Sequence, residues 1–102
     1  MENRDYIYLL KLKRPELLGQ GPTAEEEAIL HRHAAYLKEQ AAAGAVHLFG
    51  RTDAAGEATF GIVVFRAGSE ETARMLMEAD PAVAEGVMGA TLHPFRMVHP
   101  KV

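Results

Sequence analysis

The chain has 102 residues, of which 48% are hydrophobic and 25% charged, and it carries a formal net charge of −3. These values are typical of a globular protein, and the length predicts a single domain over residues 1–102. No run of basic residues is available to neutralise phosphates. Nucleic acid is therefore not a predicted partner, and a small molecule is favoured over a polymer as substrate.

The sequence contains no cysteine. This excludes disulfides, thiolate zinc sites and thiol nucleophiles, and it fits a reducing compartment. The N-terminal stretch MENRDYIYLLKLK is too charged, and its apolar part too short, for a signal peptide or a membrane span. The sequence thus predicts a cytoplasmic protein that does not enter a membrane.

The first predicted elements are a strand and a helix. Tyr6–Lys13 is rich in aromatic and aliphatic residues, which favours a strand, and Leu18–Pro22 is predicted to be a loop. Thr23 is followed three residues later by Glu26, the spacing of a capping box, so a helix is expected to start there. Gly44 is a natural stop for this helix.

A hairpin follows the first predicted helix. Residues 45–50 (AVHLFG) and 59–66 (TFGIVVFR) each favour a strand, and the loop between them offers Gly56 for a positive φ angle. In the second of these strands Phe60, Ile62 and Val64 point to one side, whereas Val63 and Phe65 point to the other.

The last third predicts a helix, a short turn and a strand. Ser69 is a good N-cap for a helix that reaches about Ala79, because Asp80-Pro81 forces its end. A turn of helix and a strand over about residues 87–98 complete the chain. The order is β-α-β-β-α-β, which predicts an α+β ferredoxin-like fold with a four-stranded antiparallel sheet and two helices on one face.

The apolar residues on both sides of the third strand predict a partner. The helices of this fold cover only one face of the sheet, so a second layer must cover the other. A second copy of the same sheet is the simplest such layer. The sequence therefore predicts a homodimer that joins sheet face to sheet face.

His33 is the first candidate for a functional residue. The spacing of three and four places it in line with Leu30 and Leu37 on the buried side of the first helix, and Tyr36 flanks this stripe. Tyr36 is accordingly a candidate for contact with substrate. His31 points about 200° away from His33 and is expected to face solvent.

Asp80 is the second candidate. It stands where the apolar stripe of the second helix would continue after Leu76 and Met77, and a carboxylate there needs a partner. Because both helices lie on the same sheet face, we expect His33 and Asp80 to approach each other. An imidazole held by a carboxylate suits general acid–base catalysis.

Structural interpretations of both residues remain open. An inward histidine on a helix is often a hydrogen-bonded core residue. Asp80 is also well placed to cap the short turn that follows, with Pro81 at the first helical position. The two roles of Asp80 are compatible, since one oxygen can cap while the other meets His33.

Further candidates are weaker. His93, in the last strand, is expected to line a pocket or to pack, and Arg51 or Arg96 would anchor an acidic substrate group. His47 is predicted by alternation to share a face with Phe49. The five histidines include no pair at i, i+4 and no phosphate-binding glycine loop is present, so neither a metal site nor a cofactor is predicted.

Two stretches resemble a known family. HAAYLKEQAAAGAVHLFGRTD and FGIVVFRAGSEETARMLMEADPAVAEGVMGATLHPFRMV are similar to the YCII-related (YciI-like) family over nearly the whole chain. The resemblance implies a dimeric ferredoxin-like α/β barrel and a site built around a histidine and an aspartate, which match His33 and Asp80. It also implies chemistry on small ring-derived compounds, including dehydrochlorination. The chain departs from the family at Arg51-Thr52, where a small residue and a proline are usual.

Three functions remain open from the sequence. The first is a cofactor-free isomerase or lyase that uses His33 as acid or base and Asp80 to orient it. The second is a non-catalytic dimer that binds a small ligand and uses the pair for recognition. In the third, the pair only ties the two helices together.

Overall fold

The computed structural model describes residues 3–54 and 56–100, which form a four-stranded antiparallel sheet with helices packed on one face. The strands are β1 (Arg4–Leu12), β2 (Val46–Arg51), β3 (Gly61–Ala67) and β4 (Met88–Phe95), in the spatial order β2-β3-β1-β4. The helices are α1 (Leu17–Gln20), α2 (Ala24–Ala42), α3 (Glu70–Ala79) and α4 (Pro81–Ala84), and a 3-10 turn spans Gly56–Ala58. The predicted ferredoxin-like α+β fold is confirmed.

The predicted capping box fixes the start of α2. The Thr23 hydroxyl accepts from the Glu26 backbone N–H, and the Glu26 carboxylate accepts from the Thr23 N–H at 2.9 Å. Arg14 lies 2.6 Å from the same carboxylate. The Arg14 hydrogen bond, followed by the bond from Thr23, lowers the pKa of Glu26 to about 2. These contacts attach the end of β1 to the first turn of the long helix.

The second long helix begins and ends as the sequence predicts. The Ser69 hydroxyl accepts from the Thr72 backbone N–H at 3.1 Å, and α3 ends at Ala79. Asp80 then adopts an extended backbone conformation (φ −61°, ψ 122°) before Pro81, which excludes the α conformation from the preceding residue. The chain therefore turns sharply between α3 and α4.

The main core lies between the sheet and the two long helices. Alternate residues of β1 and β3 enter it because successive strand side chains point to opposite faces. Its buried members are Tyr6, Tyr8, Leu10, Leu37, Val46, Val63, Phe65, Ala67, Ala73 and Met77. The other sheet face carries no long helix. No helix in the described part of the chain is long and apolar enough to cross a membrane.

Several predicted boundaries are wrong, and for three of them the structure gives the reason. Residues 18–20, expected in a loop, belong to α1, which forms because the Leu17 side chain is buried against Ile29 and Val87. The last strand ends at Phe95 rather than near residue 98, because Phe95 already pairs with Asp5, the second residue of β1. β3 starts at residue 61 rather than 59, where its pairing with β2 ends.

A bulge in β2 overturns the predicted orientation of His47. Val46 pairs with Phe65 and Phe49 pairs with Val63, so one extra residue lies in β2 between positions that face the core. Such a bulge breaks strict alternation. As a result Phe49 packs against the core, whereas the ring of His47 reaches Asp5 on the other sheet face.

Candidate functional site

Asp80 brings a carboxylate into the interior of the molecule. It lies at the turn between α3 and α4, and its side chain is completely buried. The Asp-Pro sequence explains this position, because proline starts α4 and holds the preceding residue extended. A buried carboxylate is costly unless it is hydrogen-bonded, so its partners are the central feature of the site.

Three groups contact the two oxygens of Asp80. The Tyr8 hydroxyl donates to Oδ2 at 2.8 Å, and the Ala82 backbone N–H donates to Oδ1 at 3.0 Å. Nδ1 of His33 lies 2.6 Å from Oδ1. The predicted contact between His33 and Asp80, 47 residues apart in the chain, is therefore present. The predicted N-cap role of Asp80 is present as well, through Ala82.

His33 lies between this buried carboxylate and the surface. Its side chain is 16% exposed, whereas that of Asp80 is 0% exposed. No buried side-chain nitrogen or oxygen of the described residues lacks a hydrogen-bond partner. Because Nδ1 faces Asp80, Nε2 is the ring nitrogen left for an external group. The arrangement resembles that of a histidine oriented by an aspartate in acid–base catalysis.

Two tyrosines surround the pair. Burial, and after it the negative charge of Asp80, raises the pKa of Tyr8 far above the usual value for a phenol. Burial and the same charge raise the pKa of Tyr36. Both hydroxyls therefore keep their protons at neutral pH. The Tyr36 hydroxyl donates a hydrogen bond to the backbone oxygen of Leu76 at 2.8 Å, which joins α2 to α3 beside the pair.

The other predicted site residues lie in different places. Arg51 lines an apolar cleft of about 350 Å³ at the end of β2, and Arg96 lines a cleft of about 520 Å³ beyond β4. His93 is exposed on β4 and its ring lies 3.2 Å from the Thr91 hydroxyl. Neither cleft has His33 or Asp80 in its wall. The structure thus brings only Tyr36 close to the His33–Asp80 pair.

The cleft next to Arg96 shows how the uncovered sheet face is built. It is mostly apolar and runs between the strands and the segment that follows β4. Its apolar wall includes Ile7, Leu48, Ile62 and Val64. Leu48 remains 49% exposed, and Phe60 beside it 39%. The predicted apolar residues on this second face are therefore present.

Sequence reasoning missed Tyr8 and the pair His47–Asp5. Tyr8 lies on the core side of β1, and a buried tyrosine hydroxyl normally needs a hydrogen-bond partner. This was an available signal for a second polar residue near Asp80. The 2.8 Å contact between His47 and Asp5 depends on the bulge in β2, for which the sequence carries no clear signal.

A metal-binding cluster is not among the features of this site. Within the described ranges, 3–54 and 56–100, no group of three or more His, Cys, Asp or Glu side chains is arranged to hold a metal ion. What the site offers chemically is a buried carboxylate with three partners and one histidine nitrogen that points away from it.

Comparison with known families and proteins bears on the fold and the family. The sequence model of one protein family, the YCII-related domain, matches residues 6–95 of this chain. No curated protein matches the sequence significantly. The family match covers His33, Asp80, Tyr8 and Tyr36.

Solved structures share the fold at low sequence identity. One is the 5-chloro-2-hydroxyhydroquinone dehydrochlorinase TftG from Burkholderia phenoliruptrix AC1100, in complex with 2,5-dihydroxybenzoquinone. Its TM-score is 0.64 at 19% identity, with 89% of this chain and 93% of that chain covered. Another is an uncharacterized protein from Thermotoga maritima, with a TM-score of 0.56 at 10% identity over 93% of this chain and 100% of that chain.

A de novo designed protein, Foldit4, also matches, with a TM-score of 0.54 at 14% identity over 94% of this chain and 99% of that chain. Similarity at this level shows a common fold and leaves the activity to be argued from the site.

Proposed function

Because this chain belongs to the YCII-related family, and because its fold buries an aspartate against a histidine, we propose that it is a small-molecule enzyme that uses His33 and Asp80 for acid–base chemistry. The carrying observation is the 2.6 Å contact between Nδ1 of His33 and the buried Oδ1 of Asp80. That contact leaves Nε2 as the nitrogen that exchanges a proton with substrate.

For a ketone substrate, the proposed reaction begins with removal of a proton from a carbon next to the carbonyl group. His33 Nε2 accepts this proton, and the electron pair of the broken C–H bond enters an enolate. In an isomerisation the imidazolium returns the proton to another carbon. A chlorinated hydroquinone has hydroxyls in place of the carbonyl, so in its elimination Nε2 first moves a proton from the hydroxyl beside the chlorine-bearing carbon onto that carbon, which gives a ketone. Nε2 then removes a proton from a second hydroxyl as a C=C bond forms and chloride leaves with its bonding electrons, so that the net loss is HCl and a quinone remains. Asp80 stabilises the imidazolium in both cases.

The proposed substrates are small hydrophobic or ring-derived molecules. The net charge of −3 and the absence of a basic run favour a small substrate over a nucleic acid. The structurally similar TftG acts, by its name, on a chlorinated hydroquinone, which makes this class a reasonable first probe. In this proposal the His33–Asp80 pair acts without a cofactor.

The test is chloride release from 5-chloro-2-hydroxyhydroquinone by the wild-type protein and by two matched variants. His33→Gln should lower the rate at least about 100-fold, the usual contribution of a general acid or base. His31→Gln is the control, because this residue lies on the same helix but is exposed. Both variants should be folded under the assay conditions, but His33→Gln removes a partner of the buried carboxylate and should unfold at a lower urea concentration than His31→Gln.

Two outcomes would refute parts of the proposal. An unchanged rate in His33→Gln would remove His33 from the catalytic step. No chloride release by the wild type would exclude dehydrochlorination of this compound, and the same pair of variants would then be compared on an isomerisable ketone.

We further propose that the protein is a homodimer through the sheet face that the helices leave uncovered. The apolar wall of the cleft on that face, and the exposed side chains of Leu48 and Phe60, support this arrangement. Light scattering at micromolar concentration should give twice the mass of the chain, and Leu48→Glu should shift it toward the monomer. A monomer mass for the wild type would contradict the proposal.

A non-catalytic role is the alternative, and one observation favours it. The clefts described above are lined by residues other than His33 and Asp80. In this alternative the pair joins α2 to the α3–α4 turn, and a ligand binds in the apolar cleft beside Arg96. The test is an NMR titration with a hydrophobic carboxylic acid. Chemical-shift changes of the cleft residues that reach a plateau as the acid is added, with no turnover of the acid, would support this alternative over the enzyme.

A further inference from the structure

We propose that Tyr8 is a positioning residue for the His33–Asp80 pair. Its hydroxyl fixes the carboxylate so that His33 carries its proton on Nδ1 and presents a bare Nε2. The catalytic part of this inference rests on the function proposed above, whereas the position of the proton on the ring does not.

The location of Tyr8 makes it a rigid support. It belongs to β1, which pairs with β3 on one side and β4 on the other, and its side chain is completely buried. The ring packs edge-on against Phe65 with centroids 5.6 Å apart. Its hydroxyl reaches Asp80, 72 residues later in the chain, at 2.8 Å. Tyr8 thus links the middle of the sheet to the turn between α3 and α4.

A count of donors and acceptors around Asp80 gives the direction of each hydrogen bond. The Ala82 N–H can only donate, and the Tyr8 hydroxyl donates to the other oxygen. A carboxylate that accepts from two fixed donors is favoured in its ionised form. An ionised Asp80 has no proton to give, so His33 Nδ1 must be the donor across the 2.6 Å contact.

Loss of the Tyr8 hydroxyl would change where a proton resides. Without this donor, Oδ2 of Asp80 is buried and unpartnered, which disfavours the anion. A proton added to the pair would then stay on Asp80, which would donate to Nδ1 and leave hydrogen on Nε2. In the wild-type protein the same added proton gives an imidazolium beside a carboxylate.

The charged and titratable groups near the pair come from several elements. Tyr8 approaches from β1 and Tyr36 from α2. Arg32, adjacent to His33 in α2, pairs at the surface with Glu85 at the end of α4. The Arg32–Glu85 pair is neutral as a whole. Burial, and after it the charge of Asp80, raises the pKa of both Tyr8 and Tyr36.

The test is the pattern of ¹⁵N chemical shifts of the His33 ring between pH 5 and 9. In the wild type we expect hydrogen on Nδ1 and a bare Nε2 in the neutral ring, and an imidazolium on protonation. In Tyr8→Phe the imidazolium should be replaced by a neutral ring with hydrogen on Nε2. The rate with substrate should fall about 10- to 100-fold, as for other residues that orient a functional group through hydrogen bonds.

Tyr6→Phe is the matched control. Tyr6 lies two residues away on the same strand face, is 3% exposed, and also packs against Phe65. In Tyr6→Phe the ¹⁵N shifts of the His33 ring and the rate with substrate should equal those of the wild type. A structural tyrosine that only fills space would leave the His33 shifts unchanged in Tyr8→Phe, and that result would overturn the inference.

The inference fails separately from the proposed function. Hydrogen on Nε2 in the neutral wild-type ring would overturn it even if Tyr8→Phe did not fold. A large rate loss in His33→Gln with no change of shifts or rate in Tyr8→Phe would leave the function standing without a positioning role for Tyr8. If the His33 shifts change as expected but no substrate is turned over, the positioning role of Tyr8 is supported and the proposed enzymatic function is refuted.

Discussion

The described residues include two histidine–aspartate pairs with similar distances and different surroundings. His33 lies 2.6 Å from Asp80, and His47 lies 2.8 Å from Asp5. The Asp80 side chain is completely buried, whereas that of Asp5 is 13% exposed. Asp80 also accepts from Tyr8 and Ala82. The distance between two groups therefore says little about their energetics.

The difference between the pairs comes from where the backbone places each aspartate. Asp80 lies at a helix junction, is completely buried, and contacts the main core through Tyr8. Asp5 lies near the start of β1, opposite Arg66 of β3, and meets His47 on the uncovered face. The His47–Asp5 pair is partly exposed, so solvent and salt weaken it, whereas the completely buried carboxylate of Asp80 depends on its partners.

Removal of the Asp80 charge should give the largest effect. Asp80→Asn replaces an acceptor of three hydrogen bonds by a group that is both donor and acceptor, so one of its partners is left unpaired in the core. We expect a loss of about 2–4 kcal/mol in the free energy of unfolding, measured in urea. Asp5→Asn is the matched change and should cost about 0.2–1 kcal/mol. Equal losses would show that the two pairs do not differ as described.

Loss of the Ser69 cap should give a smaller effect and refine the first comparison. Ser69 caps α3 as Asp80 caps α4, but it lies at the surface and its oxygen accepts from the Thr72 backbone N–H. Ser69→Ala should lower the free energy of unfolding by about 1 kcal/mol. The urea midpoint measures this loss. If Asp80→Asn cost no more than Ser69→Ala, the contacts of Asp80 with Tyr8 and His33 would add nothing to capping.

Loss of the ion pair between Arg14 and Glu26, at the start of α2, should give the smallest effect on stability at neutral pH. Its effect should also depend on pH. The pKa of Glu26 is lowered from 4.5 to about 2 in the folded protein, chiefly by Arg14. The ionised Glu26 therefore stabilises the fold above about pH 4.5, and this stabilisation is lost as the pH falls toward 2.

Glu26→Gln removes that dependence and is the variant to compare with the wild type. The difference in urea midpoint between the two proteins should be present at pH 7 and should shrink steadily from pH 4.5 to 2.5. A difference that stays constant over this range would mean that Glu26 acts through its shape in the capping box and not through its charge.

Local sequence signals predicted the elements and the direct partner of Asp80. Thr23 with Glu26, Ser69 and Asp80-Pro81 marked the helix ends because capping and proline act within a few residues. The apolar stripes of the two long helices placed His33 and Asp80 on one side of the sheet, where they meet. Their catalytic role stays a prediction.

Features that depend on residues far apart in the chain were not predicted from the sequence. Arg51, Arg96 and His93 were grouped with His33 as candidates for substrate contact, but strand register and the ends of the strands distribute them over separate clefts and an exposed surface. The His47 ring was assigned to the wrong face because the bulge in β2 adds a residue that alternation cannot anticipate.

The sequence by itself determined that an inward histidine and a carboxylate share one layer, because helix periodicity and the Asp-Pro break are properties of neighbouring residues. Only the tertiary structure decided what surrounds them. Tyr8 contacts Asp80 from a strand 72 residues away, and the bulge in β2 creates the second pair on the other face. Burial and the directions of hydrogen bonds depend on these distant neighbours, and they distinguish one histidine–aspartate pair from the other.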